Sequence, residues 1–526
     1  MTAESPTDAA AGEASQDAVL SFLAGSDRPN VAVRRIDTHC SSVFLEPSRA
    51  LKIKRAVKLP YLDFSTLEKR RRACEDEIAI NKRHAPAIYH RAVPITRGRE
   101  GLAIGGTGPV VEWAVEMARF DENKTLDHLA EQDAIRPELG ERLAAILLES
   151  HRTATGREGS PWLASLPVII DRNTKQFCAE PVLSREELDR LHELSHQALA
   201  RNLELLRRRA AAGQVRHCHG DAHLGNIVLL DGRPVLFDAI EFDPVIATTD
   251  VLYDLAFPVM DLLYFGKEPT ANRLFNSYVQ TTWDAQSNAL SLLPLFLSMR
   301  APIRANVLFT KRRQHQSDQT ITAHAKRYFQ LARRLIEPGP SRLLAIGGKS
   351  GTGKSVLALD MAYLIVPPPG ALVLRSDVIR KQLNQVTEHT TLPPEAYTPE
   401  ASDRVYQAML DRAGHAVAQG ISVILDAAFL QQAERDAAKA VARSAKVEFS
   451  GIFLTANDAA RLQRVASRRH DASDATIDVV NAQATIDTGH VDWEIVDASG
   501  SPATTLRRSM SCLRNASCPS GVRTAP

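Results

Sequence analysis

The chain is poor in cysteine, and what it has is unpaired in spacing. Cys40, Cys74, Cys178, Cys218, Cys512 and Cys518 are scattered over 526 residues with no CxxC element, so neither a disulfide framework nor a zinc site is expected. No uninterrupted apolar run is long enough to span a bilayer. The opening Met1-Thr2-Ala3-Glu4-Ser5-Pro6 has neither the basic start nor the apolar core of a signal peptide. A cytoplasmic location with no membrane partner is the expectation. Net charge is lacking too: 64 Lys and Arg against 62 Asp and Glu leave +2, which makes no global case for a polyanion partner. What remains is an ordinary globular composition, 44% hydrophobic and 24% charged, at a length that predicts two or three domains.

The most informative stretch is 217–238. Ile227–Leu230 and Val235–Phe237 are short apolar runs separated by Asp231-Gly232-Arg233-Pro234, which reads as a β-hairpin. Asn226 stands just before the first strand and Asp238 just after the second, so antiparallel pairing brings both to one end. Asp221 lies on the loop leading in. Two hard oxygen ligands at one point with a further carboxylate nearby suit Mg²⁺-phosphate chemistry. The alternative is a polar hairpin whose Asp, Asn and Gly only cap turns. The step from Asp221 to Asn226 equals that in the kinase catalytic loop. His219-Gly220-Asp221 with Gly225-Asn226 resembles the catalytic loop of the aminoglycoside phosphotransferase family, kinase-like enzymes of small molecules.

That resemblance spans roughly 30–330 and implies a bilobal α+β kinase-like fold. Thr38–Leu45 reads as a turn entering a strand, and Leu51-Lys52-Ile53-Lys54 as its partner. A kinase-like N-lobe carries a phosphate-gripping lysine there. Lys52 and Lys54 share one face by alternation; Lys52 is preferred, and the pair is not separable from sequence. A helix from Thr66 to about Lys82 offers Glu77 as the lysine's anchor. Val110–Met117 reads as the strand leaving the lobe, and Leu126–Arg209 is largely helical. Asp250 and Asp254, one helical turn apart, resemble an Asp-x-x-x-Asp-Leu-Ala element that braces the catalytic loop. Asp238-Ala239-Ile240-Glu241-Phe242 stands where many antibiotic-modifying members carry an Asp-Phe-Gly-like run, which weakens any case for an aminoglycoside acceptor.

Residues 300–335 hold nine Lys and Arg against the single acid Asp318, a local net of +8. Such a run could hold a phosphorylated ligand or nucleic acid, or be a solvated face. Glu337-Pro338-Gly339-Pro340-Ser341 is the clearest breaker and the expected linker. Then Leu343–Ile346 reads as a buried strand running into Gly347-Gly348-Lys349-Ser350-Gly351-Thr352-Gly353-Lys354-Ser355 and an apolar helix. This is G-x-x-x-x-G-K-S in its strand–loop–helix context: backbone amides of Gly348 to Ser355 close around phosphates, Lys354 reaches the β/γ-phosphates, and Ser355 ligates Mg²⁺. Leu372–Leu374 is a strand followed by Asp377 and Arg380, spaced to straddle one helical turn, a base and an acceptor-holding cation. Val423–Leu425 ends in Asp426, a Walker-B-type carboxylate for Mg²⁺. Arg461, Arg464, Arg468 and Arg469 suit a basic lid.

Residues 341–500 resemble the small P-loop kinases that include gluconate kinases, zeta-toxin-like kinases and polynucleotide kinases. The fused order of the halves resembles bacterial proteins described as bifunctional aminoglycoside phosphotransferase/ATP-binding proteins. The expectation is a disordered 1–16, a kinase-like domain over 17–336, a linker at 337–341, an α/β P-loop domain with a parallel sheet over 342–506, and a flexible tail over 507–526. Its function reads as two ATP- and Mg²⁺-dependent kinase sites acting on a small-molecule hydroxyl. The rival reading makes one domain a nucleotide-binding regulatory or nucleic-acid-binding module, or a nucleic-acid 5′-end kinase.

Overall fold

The computed structural model describes residues 16–25, 32–38, 40–59, 62–178, 183–314, 319–337, 339–467 and 472–516. They fall into two compact units, one of 1–135, 145–168 and 203–261, the other of 136–144, 169–202 and 262–526. The segment 262–336 falls in the second of these units.

The first unit carries a six-stranded antiparallel sheet: β1 (Arg34–Asp37), β2 (Ser41–Leu45), β3 (Arg49–Lys54), β4 (Tyr89–Gly98), β5 (Gly101–Ile104) and β6 (Val110–Ala118), ordered β1-β2-β3-β6-β4-β5. Alternation along β3 sends Leu51 and Ile53 to one face, where they pack with Phe44, Val19 and Phe22. Lys52 and Lys54 take the other face, as the period of two requires. Helix α1 (Leu67–Asn81) is N-capped by Thr66, whose side chain accepts from Lys69 N–H. Its inward face is polar, with Arg70, Glu77 and Asn81 all buried, so each needs a partner. Arg70 finds Glu112 at 2.9 Å.

The hairpin forms as β7 (Ile227–Leu230) and β8 (Arg233–Leu236), with Ile227 opposite Leu236. Its loop is the two residues Asp231 (φ 50°) and Gly232 (φ 74°), the positive-φ pair of a type I′ turn. Pro234 is thus inside the second strand. Phe237 N–H donates to Asn226 O at 3.0 Å, setting Asn226 and the Asp238 backbone at the same end. Helix α2 (Val251–Tyr264) follows.

The second unit is built on a five-stranded parallel sheet of β9 (Arg342–Gly348), β10 (Leu372–Arg375), β11 (Val423–Asp426), β12 (Glu448–Thr455) and β13 (Glu494–Asp497), ordered β10-β11-β9-β12-β13. Every residue of β9 is buried, and after Arg342, which pairs with Glu448 at 2.9 Å, its sequence is uninterrupted apolar. The edge strand β10 is anchored by α3 (Glu268–Thr281). Asn276 accepts from Val373 N–H at 2.7 Å and donates to Ala371 O at 3.0 Å, while Asn272 donates to Pro369 O and Ala371 O. Side-chain amides thereby occupy main-chain groups at the sheet's exposed margin. Residues 507–516, expected to belong to a flexible tail, form part of a helix, Pro502–Ala516. Leu506, Met510 and Leu513 recur at helical spacing and pack on the sheet's core; 517–526 lie outside the described residues.

Among the described residues one helical run, Trp283–Thr310, is long and apolar enough by composition to cross a membrane, and it is mostly buried in the fold. Asn276→Ala should destabilise the second unit by about 2–4 kcal/mol, because the buried Val373 amide loses its acceptor. Urea unfolding of the full chain checks this, and a loss below about 0.5 kcal/mol would refute the anchoring role.

Candidate active sites

Three elements of the first unit converge through charge. Lys52 Nζ lies 2.9 Å from Glu77 Oε1 and 2.7 Å from Asp238 Oδ1. Lys54 Nζ lies 2.6 Å from Glu77 Oε2 and pairs also with Glu241. Glu77 is fully buried and bridges both lysines, one through each oxygen. The structure thereby separates the two lysines. Lys54 is 1% exposed and closed in by carboxylates, whereas Lys52 reaches Asp238, whose side chain is 43% exposed. Burial pulls the Lys52 pKa down, but Asp238 and Glu77 more than reverse it and hold it well above its ordinary value. Burial likewise works to raise the Asp238 pKa, and the Lys52 charge and hydrogen bond bring it below the usual range.

Asp238 has φ 58°, an uncommon conformation for a non-glycine residue. Its amide donates to Tyr89 Oη at 3.1 Å, and the next amide, Ala239 N–H, donates to Asn81 Oδ1 at 2.8 Å. The catalytic-type loop is gripped from below. Gly220, at φ 82°, donates its N–H to Asp254 Oδ1 at 2.9 Å, and a Cβ there would meet Ala247 Cα at 3.2 Å. Leu224 N–H donates to Asp261 Oδ2 at 3.0 Å. Asp254 and Asp261 stand two turns apart on α2, so one helix face holds the loop at two points. Asp250 does something else: it forms a buried bidentate pair with Arg209 at 2.6 and 2.7 Å. At the loop's far end Asn226 Nδ2 donates to Asp221 Oδ2 at 3.1 Å and Asp221 O at 3.0 Å.

In the second unit Gly348 (φ 136°), Gly351 (φ 83°) and Gly353 (φ 93°) turn the loop between β9 and α4 (Lys354–Ala362). A Cβ on Gly351 would strike Arg461 O at 2.6 Å, so the loop and α6 (Asp458–Ala466) approach backbone to backbone. Lys354 and Ser355 open α4; Lys354 Nζ donates to Lys349 O at 3.3 Å, and Thr352 Oγ1 to the same carbonyl at 2.8 Å. Ser350 N–H donates to Gln483 Oε1 at 2.7 Å, and Lys349 Nζ to Ala484 O. Parallel pairing puts Asp426 level with Ile346 of β9 and with Arg375 of β10. Asp377, in the first turn of α5 (Ser376–Leu383), has its pKa raised by burial first and by the Asp426 charge second, against the opposing pull of Arg375 and Lys354.

Residues 62–280 match the model of the phosphotransferase enzyme family, and 343–485 match that of an AAA domain. The chain thus joins a segment similar to the phosphotransferase enzyme family to a P-loop-bearing segment similar to an AAA domain. A Mycobacterium tuberculosis protein, the uncharacterized protein Rv2004c, is 28% identical over 481 residues, 88% of this chain and 92% of its own length. Among solved structures, a choline/ethanolamine kinase family protein from Mesorhizobium loti is 16% identical over 61% of this chain and 95% of its own, with a TM-score of 0.37. The Mycobacterium tuberculosis APS kinase in complex with AMPPNP and APS is 16% identical over 34% of this chain and 99% of its own, with a TM-score of 0.25.

In the second unit two of the expected site residues make contacts within the fold. Arg464, read as part of a lid, has its guanidinium on the carbonyls of Ala498 and Gly500 at 2.7 and 2.8 Å, with longer contacts to Gly351 O and Thr352 O. It braces the loop's backbone. Arg468 lies outside the described residues, as does Arg469. Arg380, read as acceptor-holding, is buried, donates to Ala396 O and stacks 4.8 Å over Tyr397. Beside it the nearly buried Lys381 pairs with Asp474, which also accepts from Tyr397 Oη and Leu392 N–H. Sequence reading missed Lys381 and Asp474, and in the first unit Glu241 and Asp261. Only Asp261 carried a signal, its seven-residue spacing from Asp254.

In the first unit, Lys54→Met should cost about 3–5 kcal/mol, because it strands the nearly buried Glu241 carboxylate beside Glu77. Lys52→Met should cost clearly less, since Asp238 can rehydrate. Chemical denaturation of the two variants decides, and equal losses would show that the lysines are interchangeable supports.

Proposed function

We propose that the chain carries two phosphotransfer sites, each using ATP with Mg²⁺ to move the γ-phosphoryl group to a hydroxyl of a small molecule. The observation that carries the reading is Lys52 held between the buried Glu77 and the half-open Asp238, at the hairpin end where Asn226 also stands. Two lysines against Glu77, Asp238 and Glu241 leave the cluster one negative charge in excess, and Asp221 adds to it. That donor set fits a divalent cation. In the second site the like charges of Asp377 and Asp426 make the same case.

In the first site Lys52 grips the triphosphate, Asn226 and Asp238 would hold Mg²⁺, and Asp221 orients or deprotonates the acceptor hydroxyl. In the second, the amides of Gly348 to Ser355 and the Lys354 ammonium cradle the phosphates, Ser355 and Asp426 would hold Mg²⁺, and Asp377 is the base. When bound, Mg²⁺ supplies neutralisation of the triphosphate's charge. Catalysis by this chain's own residues is positioning and charge stabilisation, with no covalent enzyme intermediate. A cytoplasmic site of action agrees with the use of ATP.

The nucleic-acid reading drew on the basic stretch 300–335. Arg300 is buried, Arg327 stacks on Tyr264 and donates to its carbonyl, and Arg333 pairs with Glu187. These cations are engaged within the fold, which favours the small-molecule reading. A screen of metabolite extract with labelled ATP, read by product mass, tests it directly.

Two outcomes separate the roles. In a Lys354→Ala background, Asp238→Ala should abolish Mg²⁺-dependent ATP binding, whereas Asp221→Asn should bind ATP normally and transfer poorly. Calorimetry showing tight Mg²⁺-dependent binding by the Asp238→Ala protein would remove the assignment. In the second site Asp377→Asn should spare ATP binding and lower transfer by about 10²–10⁴-fold. Because its pKa is raised, transfer should fall with decreasing pH at a higher pH than an ordinary aspartate would impose. That acid limb should vanish from the residual activity of Asp377→Asn; an unchanged profile would reassign the base.

A further inference from the structure

Helices Ser160–Cys178 and Arg185–Ala211 carry none of the phosphotransfer residues, yet their facing sides bring together a carboxylate and two imidazoles. His192 and His196 stand one turn apart on the second helix, so their rings share a face, with centroids 4.5 Å apart. Asp171 on the first helix completes the group. Its Oδ1 lies 2.7 Å from His196 Nε2 and 3.9 Å from His192 Nε2, and one ligand atom from each residue falls within 4.8 Å of the others.

A hydrogen-bond relay orients the His192 ring. Thr174 Oγ1 donates its single proton to Ile170 O at 3.1 Å. Toward His192 Nδ1, 3.0 Å away, it can then only accept. With the hydroxyl proton so placed, the His192 tautomer protonated at Nδ1 satisfies both partners and leaves the Nε2 lone pair on the Asp171 side. In that tautomer two acceptors face each other with no proton between them, an arrangement that a cation satisfies. A carboxylate or backbone partner on the outer ring nitrogen is the usual way a protein orients a ligating histidine, and the Thr174–Ile170 relay serves the same end here.

We propose that Asp171, His192 and His196 bind a zinc-type divalent cation. Ligand atoms about 2.0–2.1 Å from a tetrahedral ion are roughly 3.3 Å apart, between the 2.7 and 3.9 Å that separate Asp171 Oδ1 from the two imidazoles. Uptake requires the His196 Nε2 proton to move to Nδ1 or to leave, since that nitrogen now donates to Asp171. Two neutral imidazoles and one carboxylate suit zinc and its first-row neighbours and leave a coordination position for water. The side chains are 34–61% exposed, so an ion can enter from solvent. Bound there, it clips the two helices together. The absence of cysteine from the set is why cysteine spacing gave no hint of it.

The test uses the full chain, stripped with chelator and held in excess Mg²⁺ so that the phosphotransfer sites are occupied. Zn²⁺ is titrated calorimetrically and Co²⁺ by visible absorption. The wild-type chain should bind one equivalent more than the His192→Ala/His196→Ala variant. Its Co²⁺ spectrum should lack a thiolate charge-transfer band, and its thermal transition should rise on Zn²⁺ addition while that of the variant does not. Thr174→Val should keep the stoichiometry and bind about 10–100-fold more weakly. If the double variant misfolds, Asp171→Asn and Thr174→Val carry the test. Equal stoichiometry in wild type and variant, no Zn²⁺ uptake by wild type at micromolar concentrations, or a thiolate band that assigns the ion to Cys218 beside His151 and Asp254 would each overturn the proposal.

Discussion

Four charges largely withdrawn from bulk water, Lys52, Lys54, Glu77 and Glu241, with the half-open Asp238 beside them, govern the first unit. Removing a lysine or a carboxylate from solvent costs several kcal/mol unless an opposite charge comes with it, so the buried members of the cluster depend on one another. They come from β3, from α1 and from the segment after β8, and the charge requirement sets how those elements meet. It explains why α1 is polar on its inner face, and why Asp238 sits at positive φ under the restraint of Tyr89 and Asn81. The helix does not dock by burying apolar area alone; it docks because Glu77 has two cations to satisfy.

The second unit meets the same chemical demand by a different means. Its phosphate cradle is backbone turned inward by glycines, opened onto a helix N-terminus, with little side-chain charge in the loop itself. The close approach of Gly351 to the Arg461 backbone and the grip of Arg464 on neighbouring carbonyls give that loop its shape. One site is thus held rigid by ion pairs and the other by main-chain packing. The two should respond differently to salt, which screens charges and leaves packed backbone alone.

The hairpin and the P-loop were legible because short-range rules determine them: a positive-φ Asp-Gly pair, and glycines at fixed steps between a strand and a helix. Alternation put Lys52 and Lys54 on one face, but choosing between them needed Asp238, 186 residues away along the chain. The carbonyl contacts of Arg380 and Arg464 were not legible, because a basic residue beside a nucleotide loop looks the same in sequence whether it faces phosphate or holds carbonyls. The terminal helix was hidden by its serine- and arginine-rich exposed face, since only Leu506, Met510 and Leu513 report the side that packs. The role of α3 was not readable at all. Two asparagines in a helix announce no strand edge until the strand is in place.

That last pairing bears on how the protein is made. A ribosome delivers α3 before β10, with some 90 residues of chain between them, which at usual translation rates is about 5–20 s. During that interval the strand-side partners of Asn272 and Asn276 do not yet exist. When Val373 emerges it meets a prepared acceptor, so the first edge of the parallel sheet is laid against a template synthesised earlier. A gene fragment that starts at the Pro-rich breaker would begin translation after the template and leave that edge open to other chains.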